Sequence, residues 1–272
     1  PITDAGPTDP EIAFLSVQST EGRPIALLAN YSLHYVGGVR SGDVSADYYG
    51  IFADRTAELI QADRQSPPFV AMMSNGTSGD INNIDFTKKS ERLPRYQKMR
   101  EVAELTAQAV YNAYPDVEYR DWAELGARQE ELTLDVRKPG PELVEYFEDV
   151  LAKPEDAEPY HRREKTYARR VMQLHEGPDQ LDVVLQAFRV GDTAVSAIPF
   201  EVLVEIGLEL KEETPFNHAF TVSLANGSYG YLPPVRQHKL GGYETWMGTN
   251  IVEIEAAPKI VSTLLDLQND LR

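Results

Sequence analysis

The sequence predicts an α/β protein, a mixed β-sheet core with flanking helices, on three observations. Short apolar runs that read as strands recur along the chain, at 12–17, 25–33, 69–73, 181–188, 193–198 and 220–224. Segments with helical spacing separate them, the clearest at 47–62 and 94–114. Several strands break off into small polar residues, the usual way to set reactive groups at a sheet edge.

The first two strands flank Glu21-Gly22-Arg23-Pro24 and read as an antiparallel hairpin. The second runs into Leu33-His34-Tyr35 and then Gly37-Gly38. A histidine there is placed for a ligand or base, although a lone histidine is more often structural. A helix over 47–62 follows, with Ile51, Ala53, Leu59 and Ile60 as its apolar positions. Phe69 to Met73 reads as a buried strand, opening into a loop over 74–83 that holds Asn75, Ser78, Asp80, Asn82 and Asn83. Gly76 and Gly79 in that loop allow close approach by a ligand.

The helix over 94–114 has Met99, Val102, Leu105, Ala109 and Val110 on its apolar spacing. A long strand is expected over 122–136. The charged stretch 139–176 reads as an excursion with solvated helical faces rather than a binding patch, and His161 and His175 carry no assigned chemistry. Two strands surround Gly191-Asp192, a hairpin turn. The second of them meets a helix at Pro199-Phe200-Glu201, where a carboxylate can cap that helix. The strand at 220–224 ends in Ala225 to Pro234, and a last helix spans 258–271. No repeat, linker or domain boundary stands out.

Composition narrows the function classes. The net charge of −17 argues against nucleic acid, because little basic charge is left to neutralise phosphates. No apolar run reaches the ~20 residues of a membrane-spanning helix. The chain has no cysteine, which excludes disulfides and thiolate chemistry. Because it begins at Pro1 rather than Met, an N-terminal portion is expected to have been removed.

His34, the 74–83 loop, Glu201 and Tyr231 thus stand at four strand ends. A histidine, a glutamate and a phenol or water suit a catalytic zinc. The segments Ser32-Leu33-His34, Gly79-Asp80-Ile81-Asn82, Ile198-Pro199-Phe200-Glu201, Leu224-Ala225-Asn226-Gly227-Ser228-Tyr229-Gly230-Tyr231 and Gly242-Tyr243-Glu244 together resemble the neutral/alkaline, non-lysosomal ceramidases, in particular their bacterial relatives. The resemblance covers most of the chain.

The resemblance implies one catalytic domain over 1–272 that lacks its N-terminal segment. It implies a single zinc ion held by His34, Glu201 and Tyr231, with a first histidine upstream of this chain. Tyr243 maps to a tyrosine that polarises the scissile carbonyl. Asn82 stands where the family has a serine in a Gly-Asp-x-Ser-Pro-Asn motif; an amide side chain hydrogen-bonds a substrate but is no nucleophile. Asp80 and Asn82 are expected to orient the substrate or the groups around it. The implied reaction is zinc-dependent hydrolysis of an amide in a small-molecule or lipid substrate, a sphingolipid in the family, by a secreted or periplasmic protein. The alternatives are a metal-dependent esterase or deacetylase on a polar or sugar substrate, and a non-catalytic homologue.

Overall fold

The computed structural model describes residues 6–89 and 93–272. β1 (Ile12–Gln18) and β2 (Pro24–Tyr31) form the expected antiparallel hairpin. Ser19 N donates to Arg23 O at 2.8 Å across the turn, and Gly22 takes φ +82° there. A glycine adopts that angle without steric cost. α1 (Asp47–Leu59) crosses the sheet, and β3 (Val70–Asn75) returns parallel to β2. α2 (Gln97–Ala113) lies against α1. Leu27 and Ala29 of β2, Tyr48 and Phe52 of α1, and Met99, Ala103 and Val110 of α2 form a first core.

The second half is built on a four-stranded sheet. β4 (Leu125–Asp135) leads into the helical pair α3 (Pro141–Ala152) and α4 (Glu164–Glu176). β5 (Gln180–Val190) and β6 (Thr193–Ile198) follow, joined by the Gly191-Asp192 hairpin. Next come the two-residue strand β7 (Glu201–Val202), α5 (Val204–Glu213) and β8 (His218–Ser223). The chain then forms β9 (Tyr231–Leu232), α6 (Val235–Leu240) and α7 (Ala256–Asn269). The sheet order is β4-β5-β6-β8, antiparallel except for the β6–β8 pair, which is parallel across α5. A second core gathers Leu185, Ile198, Phe200, Val202 and Ile206 with Ile260 and Leu264 of α7.

Polar bonds join the halves, and the Asn30–Thr221 bond among them is buried. Asn30 of β2 donates from Nδ2 to the Thr221 carbonyl of β8 at 3.0 Å and to Ser74 Oγ of β3 at 3.0 Å. Gly79 N donates to Val202 O at 2.8 Å. Lys211 of α5 reaches Asp9 at 2.7 Å and Glu11 at 2.8 Å.

Three local expectations are corrected. β3 is an edge strand, and its alternate residues Val70, 49% exposed, and Met72, 43% exposed, point to solvent on one face of the sheet. α1 buries Tyr48, Phe52 and Thr56, a stripe one turn apart, and leaves Ile51, Ala53, Leu59 and Ile60 half-buried beside it. Leu105 lies on the outer face of α2 at 72% exposure. Among the described residues no helix is long and apolar enough to cross a membrane.

Candidate active site

The parallel pairs β2–β3 and β6–β8 set the site. Ligands of α/β sheets gather beyond the carboxyl ends of parallel strands. The segments after β2, β3, β6 and β8 carry His34, the 74–83 loop, Glu201 and Tyr231. β7 and β9 pair in parallel with Glu201 opposite Tyr231, so the two side chains share one face. His34 Nε2 stands 4.0 Å from Glu201 Oε2. Three residues far apart in sequence therefore meet at one point.

His34 and Tyr231 are held from behind. His34 N donates to Ile81 O at 3.0 Å, tying it to the loop after β3. The Tyr48 hydroxyl donates to the Leu33 carbonyl at 3.1 Å. Asp47 accepts Val36 N at 2.9 Å, Gly37 N at 2.7 Å and Tyr48 N at 2.8 Å, which fixes the loop after His34 to the start of α1. Tyr231 N donates to Thr249 O at 3.0 Å, and Asn250 Nδ2 donates to Tyr231 O at 3.1 Å. Arg137 donates from Nη1 to Asn250 Oδ1 at 2.9 Å and to Thr245 O at 2.8 Å, bracing both tyrosine segments.

Tyr243 opens a short 3₁₀ turn, Tyr243–Thr245, after Gly242 at φ +107°. Its hydroxyl donates to the Tyr231 hydroxyl at 2.5 Å, with the rings edge-on at 5.3 Å. Burial pushes the Tyr231 phenol well above its ordinary range, and its bonds to Tyr243 and Glu201 push the same way. Tyr243, Tyr231 and Glu201 thus lie side by side in one cluster. Burial also raises Tyr243, against the lowering effect of the Tyr231 bond.

The loop after β3 plays a different part from the one its sequence suggests. A Cβ on Gly79 would sit 2.9 Å from the Glu201 carbonyl oxygen, and one on Gly76 would sit 2.7 Å from Ser32 Oγ. These glycines admit neighbouring protein, not a ligand. Asp80 Oδ1 accepts Val204 N at 2.9 Å and caps α5. Burial around that carboxyl raises it, and Glu205 adds to the shift, although the residue keeps an exposed edge. Asn82 is exposed at the loop's outer edge, and Ser78, 2% exposed, donates to Asn75 Oδ1 at 2.9 Å.

Sequence reasoning gave no role to Glu244, Asp47 or Arg137. Burial raises the Glu244 carboxyl, Asp80 raises it further, and Glu244 in turn raises Tyr243. Its place in the Gly242-Tyr243-Glu244 segment was the signal. Asp47, at the first position of a helix, matched an ordinary start signal. Arg137 carried none.

As a metal donor set the cluster offers an imidazole, a carboxylate and a phenol. Two donors on one tetrahedral zinc, each about 2.0–2.2 Å from it, stand about 3.3–3.6 Å apart. The 4.0 Å between His34 and Glu201 is somewhat wider than that separation. An imidazole and a carboxylate are donor types that suit a zinc ion. Among the described residues no cluster of three or more His, Cys, Asp or Glu is placed to hold a metal, so such a site depends on the phenol.

The neutral ceramidase of Pseudomonas aeruginosa superposes on 97% of this chain with a TM-score of 0.70. The chain has a ceramidase-like fold. Identity is 15%, and the match covers 47% of that ceramidase. A ceramidase complexed with C2 gives the same TM-score of 0.70 at 15% identity, over 97% of this chain and 48% of its own. The chain therefore spans about half the length of these ceramidases. No family model and no curated protein matches the sequence.

Proposed function

We propose that the protein is a zinc-dependent hydrolase of the ceramidase type that cleaves the amide bond of an N-acyl substrate with water. The observation that carries this reading is the convergence of His34, Glu201 and Tyr231, with Tyr243 hydrogen-bonded into the same cluster. His34, Glu201 and Tyr231 would hold the zinc, which supplies Lewis acidity and a water of pKa lowered towards ~7.

The protein's own groups do the rest. Tyr243 keeps its proton through neutral pH, because burial raises it. Its O–H is free to turn from Tyr231 to the substrate carbonyl, where negative charge develops. Water delivers its hydroxyl to the acyl carbon, the C–N bond breaks, and the amine departs with the remaining proton. No side chain serves as nucleophile: Asn82 has no hydroxyl, and Ser78 is buried and bonded to Asn75.

The exposed Asn82 in a polar loop favours a second reading, an esterase or deacetylase acting on a polar or sugar substrate. One panel separates them. The zinc-loaded protein, extended to the length of the ceramidases it matches, is assayed on N-acyl sphingoid amides and on acetylated sugars. Cleavage of the first set alone, lost in His34→Ala and Glu201→Ala, supports the amide-hydrolase reading. Cleavage of the second set alone overturns it, and cleavage of neither in zinc-loaded protein marks a non-catalytic homologue.

A further inference from the structure

A cavity of about 470 Å³ lies beside the candidate site, between the loop after His34, the segment after Asn82 and the start of α2. Val36 and Gly37 line it from the first, Asn83 from the second and Tyr96 from the third. Lys88, Lys89, Arg95 and Lys98 also face it. We propose that this cavity binds an anionic group, a carboxylate or a phosphate, carried by the substrate. Anion binding stands on the cavity and its charges; the assignment to the substrate rests on the amide-hydrolase reading.

The charge balance selects the ligand. The chain carries 43 acidic and 26 basic side chains, so acids to pair with are in excess. Among the described residues of this cavity the balance is reversed: four cations line it with one carboxylate, Asp85. Lys88 takes that carboxylate at 2.8 Å. Lys98 reaches Glu101, one turn along α2, at 3.8 Å. Asp43, the carboxylate near Arg95, is already held by Arg40 at 2.9 Å and by the Tyr96 hydroxyl. Lys89 and Arg95 are exposed along the cavity. The first turn of α2 has no acidic residue, and Lys98 stands there instead. The helix dipole disfavours a cation at that end. An anion among these groups would relieve both repulsions through charge-assisted hydrogen bonds.

The position of the cavity ties it to the substrate. Val36 lies two residues beyond His34, so at most about 7 Å of chain separates them. Val36 N and Gly37 N both donate to Asp47, at 2.9 and 2.7 Å, which holds that wall in place. His34 N reaches Ile81 O at 3.0 Å, and the cavity begins where these two segments part, with Asn83 directly after Asn82. Tyr96 N donates to Gly38 O at 3.4 Å and joins the start of α2 to the same wall. A volume of 470 Å³ falls among small-molecule sites, which run to about 300–1,000 Å³. The cations come from two segments and converge on one concavity, which suits a compact anion better than a flat charged surface. The substrate class is therefore an amide that carries an acidic group.

Isothermal titration calorimetry at low ionic strength compares inorganic phosphate, N-acetylglycine and the uncharged N-acetylglycinamide. The expected result is saturable binding of both anions, about tenfold tighter than the uncharged amide and weakened by salt. No binding of either anion, or equal affinity for N-acetylglycine and N-acetylglycinamide, overturns the proposal. Arg95→Ala combined with Lys98→Ala should weaken both anions about tenfold, while Arg100→Ala, exposed on α2 outside the cavity, leaves them unchanged. Equal affinity in the double variant overturns the location. If the double variant loses its circular dichroism, Arg95→Glu at its exposed position decides. Pelleting with phosphatidylcholine–phosphatidylglycerol vesicles, without binding of the soluble anions, makes the cations a membrane-facing surface and overturns the proposal. In zinc-loaded protein KM for the acid-bearing amide should lie about tenfold below that for the uncharged one; equal KM removes the substrate assignment. Anion binding without any amide hydrolysis removes the functional reading and leaves the site, and hydrolysis without anion binding does the reverse.

Discussion

Asp80 caps the helix that Glu201 stands in front of: its Oδ1 accepts the Val204 amide at 2.9 Å, across 124 residues of sequence. From the sequence, Glu201 at the strand-to-helix junction could have served as that cap. With Asp80 satisfying the helix end, Glu201 is released to face His34 and Tyr231. Asp80→Ala is therefore expected to cost about 1 kcal/mol of stability, the usual loss for a cap. Asp80→Asn, which keeps an acceptor oxygen, should recover most of it. Urea midpoints of the two variants check this; equal losses would rule out the capping role.

Tyr243→Phe removes the one hydroxyl that reaches Tyr231 from the exposed side of the site. Turnover is expected to fall roughly 10²–10³-fold with little change in KM, since such a donor acts mainly on developing charge. A rise in KM at constant kcat would assign Tyr243 to substrate binding instead.

Gly79→Ala tests the contact between the loop after β3 and β7. Its Cβ would press on the Glu201 carbonyl at 2.9 Å and on Leu203 Cδ1 at 3.0 Å. Overpacking of this kind costs about 1–3 kcal/mol. The melting point should drop by several degrees, and activity should drop with it because Glu201 is displaced. Unchanged melting would mean that the two segments separate freely.

Glu244 gives the pH dependence. Burial, with Asp80 nearby, raises its carboxyl above the unfolded value. A raised carboxyl holds its proton better in the folded state, so ionisation costs stability as pH rises through the folded pKa. Glu244→Gln should therefore stabilise the protein at pH 7. The gain should vanish near pH 4, below the unfolded pKa of about 4.3. Urea midpoints at the two pH values measure it, and a loss of stability at pH 7 would show that the carboxylate is paired.

Metal binding by this chain alone should be weak, because the cluster supplies three donors where a closed zinc site has four. Equilibrium dialysis with zinc measures this. Tight stoichiometric binding would mean that another group completes the set. His238 would then be the candidate to mutate, since its Nε2 is buried without a hydrogen-bond partner. His218 stands at the start of β8, opposite Thr193, at the other end of the strand from the site.

Much of this was legible in the sequence because strands announce themselves where apolar runs stop. The loops after 33, 73, 198 and 224 each bear the polar residues that the fold brings together. Two-residue strands leave no periodic trace, so the β7–β9 pairing of Glu201 with Tyr231 was not visible. Nor was the cap from Asp80, which depends on contact between distant segments. The α1 face was misjudged because Tyr48 and Thr56 bury polar atoms that hydropathy discounts. In the α3–α4 stretch the charges on the outer faces hid the apolar residues Val150, Ala168 and Val171 that the helix pair buries.

The two cores each contribute to one cluster: His34 comes from the half built on β1–β3, and Glu201 and Tyr231 from the half built on β4–β6 and β8. The site is thus a coincidence detector for correct docking of the two halves. Slippage of an ångström along the Asn30–Thr221 contact would leave both cores intact and still part His34 from Glu201. Inactivating substitutions should therefore gather along this seam, many far from any reacting atom. Under rising denaturant the reaction should fail before the helices melt.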